Sequence, residues 1–172
     1  NARQASYFYQ HTFGFDIRAY MGLETGSTDE VGYVLKQNDV TVWFSAPVRP
    51  VHPMAEKIAY HGDFVQDIAF EVDDVDWAFK AATDRGAKAW RQPETLEDDH
   101  GKVRIASICT YGDTVHTLLN RDNYSGPFLP GFRSENQPGD GIGLQEIDHC
   151  VGNVELGKMN VWVKWYEDVL GF

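Results

Sequence analysis

The segment of this chain most able to do chemistry is Ile147-Asp148-His149-Cys150-Val151. On an extended strand alternate side chains share a face, so Ile147, His149 and Val151 would project together. An imidazole flanked by branched apolar residues reads most simply as a core histidine bonded to a backbone group. A single histidine cannot specify a metal site. The other histidines add no cluster: His52, His61 and His100 are scattered in loops, and no His-x3-His or Cys-x2-Cys spacing occurs. Asp98-Asp99-His100 sits beside Gly101 and reads as a solvated turn. Gly139-x-Gly141-x-Gly143 lacks the preceding strand and following helix that a dinucleotide-binding loop requires.

The elements that must position these residues repeat. Tyr9-Gln-His-Thr-Phe-Gly14-Phe15 and Tyr166-Glu-Asp-Val-Leu-Gly171-Phe172 each close an amphipathic helical run, so copies of one supersecondary module are expected. The chain is expected to be a fragment of a larger protein, its last copy cut short. A first helix is predicted over 2–11, followed by strands over 15–21, 31–37 and 40–46, with Asn38-Asp39 as a tight turn. A short helix is predicted near Met54 to Ile58 and a buried strand over 64–72. Val75, Ala78, Phe79 and Ala82 then mark a helix capped by Asp73 or Asp74 and ended by Gly86. Strands are predicted over 87–90, 103–110 and 114–120. This order gives one βαβββ unit without its first strand, then a complete one.

Residues 123–143, with Pro127, Pro130 and Pro138, read as a linker. Beyond it a strand over 144–151 and a helix over 157–169 begin a third unit. The predicted organisation is therefore a two-module domain over 1–122, the linker, and an incomplete further domain over 144–172. The fold class is α+β.

Bulk properties bound the function. The net charge is −11, from 26 acidic and 15 basic residues, which excludes the clustered positive charge of a nucleic-acid surface. With 42 % hydrophobic and 13 % aromatic residues the chain is globular in composition. No stretch approaches the ~20 apolar residues that span a bilayer. Cys109 and Cys150 read as buried free thiols of a reducing compartment, and the cytoplasm is the expected location. Asn1-Ala-Arg-Gln does not resemble a signal peptide.

Ile147-Asp-His-Cys-Val-Gly-Asn-Val-Glu-Leu-Gly157, with Met159-Asn160, Trp165-Tyr166 and Leu170-Gly-Phe172, resembles the opening of the catalytic domain of the 4-hydroxyphenylpyruvate dioxygenase family. The resemblance, nearest to actinobacterial members, extends over essentially the whole chain. It includes Asn1-Ala-Arg-Gln-Ala5, the stretch from Tyr111 to Leu118, and Tyr124-Ser-Gly-Pro-Phe-Leu-Pro-Gly131. It implies the vicinal-oxygen-chelate (glyoxalase-like) fold of paired βαβββ modules. It also implies one Fe(II) held by two histidines and a glutamate, of which His149 would be the first, the other two lying beyond Phe172. Three protein ligands leave positions for a chelating 2-oxo acid and for O2, the expected small-molecule partners. The implied reaction is oxidative decarboxylation and ring hydroxylation of 4-hydroxyphenylpyruvate to homogentisate, in tyrosine catabolism. Val151 would line the substrate pocket, or simply pack in the core.

By the same resemblance Asp67 occupies the place of a metal histidine and Thr117 that of the glutamate, which makes the N-terminal domain structural and metal-free. His116, facing the other way, reads as a hydrogen-bonding residue. This chain alone is expected to be inactive, and a homo-oligomer is expected. Two rivals share the pattern: 4-hydroxymandelate synthase, with the same ligands and substrate, and a non-catalytic binding protein of the same superfamily.

Overall fold

A computed structural model describes residues 1–172, which form two compact units. The first comprises Asn1–Gly62 with Ser125–Cys150, and the second Asp63–Tyr124 with Val151–Phe172.

The first unit opens with α1 (Ala2–Phe13). The Asn1 side chain accepts from the Gln4 N–H, and Gly14 closes the helix at φ 71° and ψ 29°. That left-handed geometry favours glycine because it has no Cβ to clash. The helix continues two residues further than its apolar spacing indicated. Strands β1 (Asp16–Met21), β2 (Glu30–Gln37) and β3 (Val40–Pro47) follow as an antiparallel meander, and α2 (Pro53–His61) ends the N-terminal part. Asn38, at φ 50°, makes the β2–β3 turn, as its tolerance of the left-handed region allows.

Phe15, Ile17, Leu35 and Val40 form a core on one face, with Tyr9 and Phe13 of α1 packed against it. Ala19, Val34 and Phe132 form a second cluster. Alternation puts Val34 and Leu35 of β2 in different clusters, and in β1 a register shift between Ile17 and Ala19 does the same.

In the second unit a very short β4 (Phe70–Glu71) precedes α3 (Val75–Asp84), whose Asp74 cap accepts from the Trp77 N–H. Then come β5 (Ala89–Asp98), β6 (Gly101–Cys109) and β7 (Val115–Asn120). The sheet order is β4-β7-β6-β5, with β4 parallel to β7. This is one complete βαβββ module. Val75, Phe79 and Ala82 of α3 pack on Ala106, Ile108 and Leu118, and Val169 joins them. The predicted strand over 64–72 is regular only at β4. Before it the backbone follows β7 through irregular bonds, such as Ile68 N–H to Val115 O and Val115 N–H to Gln66 O. Strand β5 runs through Pro93 to Asp98, longer than predicted. Its pairing with β6 shifts register between Ala89 and Arg91 and again between Arg91 and Glu94. Proline lacks the ladder N–H, and β5 is an edge strand where that loss is tolerated.

Two expectations about the C-terminal third need correction. Residues 123–143 are not only a connection: β8 (Arg133–Gln137) pairs antiparallel with β1, completing the order β3-β2-β1-β8. Residues 144–151 are not a strand but an exposed segment without regular structure. A strand needs a hydrogen-bonded neighbour, and no strand of this chain lies alongside to supply one. The final helix α4 (Met159–Trp165) starts late and passes into a wider π-type turn, Tyr166–Leu170. Gly171 closes it at φ 76° and ψ 28°, nearly the angles of Gly14, so the two copies of the repeat share their terminating geometry.

Candidate functional site

His149 projects into solvent, its side chain 72 % exposed. Ile147 and Val151 are also exposed, so the apolar face expected around the imidazole is absent from these residues. Its Nδ1 lies 2.5 Å from Asp148 Oδ2. A carboxylate only accepts, so Nδ1 is the donor in this pair. A carboxylate on one ring nitrogen is the usual support of an imidazole that ligates through the other. One such nitrogen does not make an iron site. No three histidine, cysteine or carboxylate side chains converge to hold a cation, so the residues of this chain do not by themselves fit Fe(II).

The positions matched to metal ligands in the N-terminal part are brought together, with a different outcome. Asp67 lies beside β7, joined to it by a bridge to Val115. Thr117 Oγ1 donates to Asp67 Oδ2 at 2.5 Å, and the Thr117 N–H donates to Oδ1 at 3.0 Å. With its hydrogen spent on Asp67, Thr117 Oγ1 accepts from Ser107 Oγ at 2.8 Å, across the β6–β7 ladder. Thr117 and Ser107 are both buried. Burial pushes the Asp67 carboxyl upward, while the two Thr117 bonds pull it back. The three side chains saturate one another, leaving a hydroxyl where an anionic ligand would be needed. Ser107 was missed in the sequence. Its only signal was a hydroxyl within the apolar stretch Ile105–Ile108.

His116 faces away from Thr117, as alternation requires. It is 2 % exposed, its Nδ1 3.0 Å from Ile68 O and its Nε2 2.8 Å from the Tyr166 hydroxyl. The carbonyl fixes the hydrogen on Nδ1, so Tyr166 donates to Nε2 and accepts from Thr110 Oγ1 at 3.1 Å. Burial lowers the His116 pKa more than the Ile68 carbonyl and the Asp67 charge raise it. The residue is a neutral internal connector. Tyr166, within the second copy of the repeat, is its partner, which helical spacing did not reveal.

A family model for the Glyoxalase/Bleomycin resistance protein/Dioxygenase superfamily matches residues 1–114, and the chain belongs to that superfamily. Curated relatives named 4-hydroxyphenylpyruvate dioxygenase match along its whole length. The one from Aspergillus fumigatus is 43 % identical over 196 residues, covering 100 % of this chain and 48 % of the relative. Those from Yarrowia lipolytica and Xenopus tropicalis are each 44 % identical, with 46 % of the relative covered. The chain thus spans about half the length of the curated relatives it matches. Among solved structures, a mutant 4-hydroxymandelate synthase from Streptomyces coelicolor superposes with a TM-score of 0.82 at 27 % identity, over 99 % of this chain and 49 % of that one. Methylmalonyl-CoA epimerase from the same organism, at TM-score 0.57 and 22 % identity over 73 % of this chain and 90 % of its own, shares the fold alone. No helix is long and apolar enough to cross a membrane.

Proposed function

We propose that this chain is the N-terminal half of an Fe(II)-dependent dioxygenase that converts 4-hydroxyphenylpyruvate and O2 to homogentisate and CO2. The observation that carries the reading is the match along the whole 172-residue chain to relatives of that name at 43–44 % identity. Residues 1–122 serve as a structural, metal-free domain. The Asp67–Thr117–Ser107 network supports this, because every polar atom that would face a cation is already bonded. Residues 144–172 open the catalytic domain, 123–143 lead into it, and His149 is the first of three iron ligands. The Asp148 carboxylate at Nδ1 supports that role, since it leaves Nε2 as the ring nitrogen that would ligate. The remaining ligands belong to the longer protein, where bound iron would supply positions for the 2-oxo acid and O2. Val151, two residues along, lines the substrate side. A cytoplasmic location fits two cysteines that form no disulfide, and a homo-oligomer is the proposed assembly.

The test uses the longer protein containing this chain, supplied with Fe(II), 4-hydroxyphenylpyruvate and O2. Homogentisate is the expected product, and His149→Ala is expected to abolish stoichiometric iron binding. Formation of 4-hydroxymandelate would instead assign the synthase that shares the fold, and iron binding unaffected by His149→Ala would overturn the ligand role. Absence of both iron and turnover would indicate a binding protein.

A further inference from the structure

The segment that leads to His149 is tied down by side chains that no apolar pattern announces. Gln10 Nε2 donates to the carbonyls of Gln137 and Pro138, at 3.1 and 3.2 Å. The Gly139 N–H donates to Asp16 Oδ1 at 3.0 Å. A Cβ at Gly14 would lie 2.6 Å from the backbone of Asp140 and Gly141, so the glycine that ends α1 also admits this segment against it. Then the β2–β3 turn takes hold. Gln37 Oε1 accepts from the N–H groups of Gly143 and Leu144, at 3.0 and 2.9 Å. Asn38 Nδ2 donates to Leu144 O at 2.6 Å, and the Asp39 N–H donates to Gln145 O at 2.9 Å.

Gln37 is 7 % exposed and uses its amide on both sides. Its Nε2 donates to Phe13 O at 2.7 Å, one of the carbonyls that the end of α1 leaves without an intrahelical partner. One buried amide therefore links the end of α1, the end of β2 and the backbone at 143–144. No apolar burial holds residues 143–145, so these hydrogen bonds decide where the chain runs.

We propose that the turn Gln37-Asn38-Asp39 is a clamp that sets the course of the chain into His149, with Gln37 as its positioning residue. The last clamped residue, Gln145, is four positions before His149. Four extended residues reach at most about 14 Å, whereas ten, counted from the bonded Gly139, reach about 35 Å. The effective concentration of a tethered group falls with roughly the 3/2 power of tether length, so trimming ten residues to four raises it about fourfold. The clamp thus delivers the imidazole to a restricted volume. Its ligand role rests on the function proposed above, while the clamp itself does not.

Two measurements test this. In the 172-residue chain, hydrogen exchange at the Gly143 and Leu144 amides should accelerate in Gln37→Met, which keeps the side-chain length without its polar atoms. Exchange should rise less in Gln37→Glu, which keeps an acceptor for both N–H groups but loses the donor to Phe13 O. In the longer protein, Gln37→Met should weaken iron binding by up to about fourfold with the product unchanged, and Gln37→Glu should weaken it less. Should Gln37→Met fail to fold, Asn38→Gly removes the bond to Leu144 O in a turn residue that already has positive φ, and the same readouts apply. Equal amide exchange in Gln37→Met and parent would overturn the clamp. Faster exchange with unchanged iron affinity would overturn its positioning role and leave the proposed function standing. A longer protein whose iron is indifferent to His149→Ala would remove that function and the positioning role together, while the amide arm still reads the clamp.

Discussion

The Asp67–Thr117 pair and the Asp148–His149 pair show what one kind of module does with two polar positions. The first is folded into a sheet. Its carboxylate takes two bonds from one threonine, whose hydroxyl is in turn supplied by Ser107. The second stands on an exposed segment, each side chain bonded only to its sequence neighbour among the contacts described. The difference teaches that polar side chains built into a sheet can spend their hydrogen-bonding capacity on one another, whereas those on an exposed segment keep atoms open to a further partner.

The contrast can be broken most strongly on the buried side. Thr117→Val keeps the shape but strips Asp67 of its hydroxyl donor and leaves Ser107 without its partner. A loss of about 1.5–3 kcal/mol is expected, the range for buried bonds to a charged group, read from the urea midpoint. A loss below about 0.5 kcal/mol would mean that Asp67 is not held as described.

The next effect is on pH dependence. Burial depresses the His116 pKa, so as pH falls past about 6.5 the unfolded chain takes up this proton first. The stabilising contribution is complete above that pH and is lost as pH falls toward the folded-state value. Thermal midpoints should fall from pH 7.5 to pH 5.5, and His116→Gln should flatten that fall. Parallel curves for the two proteins would deny His116 the role. The smallest effect sharpens the comparison from the open side. His149→Ala in this chain should change stability by no more than about 0.5 kcal/mol, as for exposed positions away from buried networks.

Much of the fold was legible because its signals are local. The periodicity of Val75, Ala78, Phe79 and Ala82 with an Asp74 cap marked α3, and the repeated Gly-Phe endings marked two helix stops with matching backbone angles. Strand β8 was hidden because Arg-Ser-Glu-Asn-Gln, at the outer edge of its sheet, has no buried face to write into the sequence. Residues 144–151 misled for the opposite reason. Ile147, His149 and Val151 are spaced to share one strand face, but no strand of this chain pairs with them, so the spacing was present without the pairing. His149 could be singled out from its neighbours in sequence. Gln37, Ser107 and Tyr166 could not, since their roles come from long-range bonds that periodicity does not encode.

Pro93 has a consequence for the company this chain keeps. Strand β5 forms the outer border of its sheet, and there one main-chain donor is missing while the flanking ladder slips out of step. A foreign strand approaching that border finds no even row of partners to zip against. The border thereby deters sheet growth from molecule to molecule in addition to the charges of Arg91, Glu94, Glu97 and Asp98 that it carries.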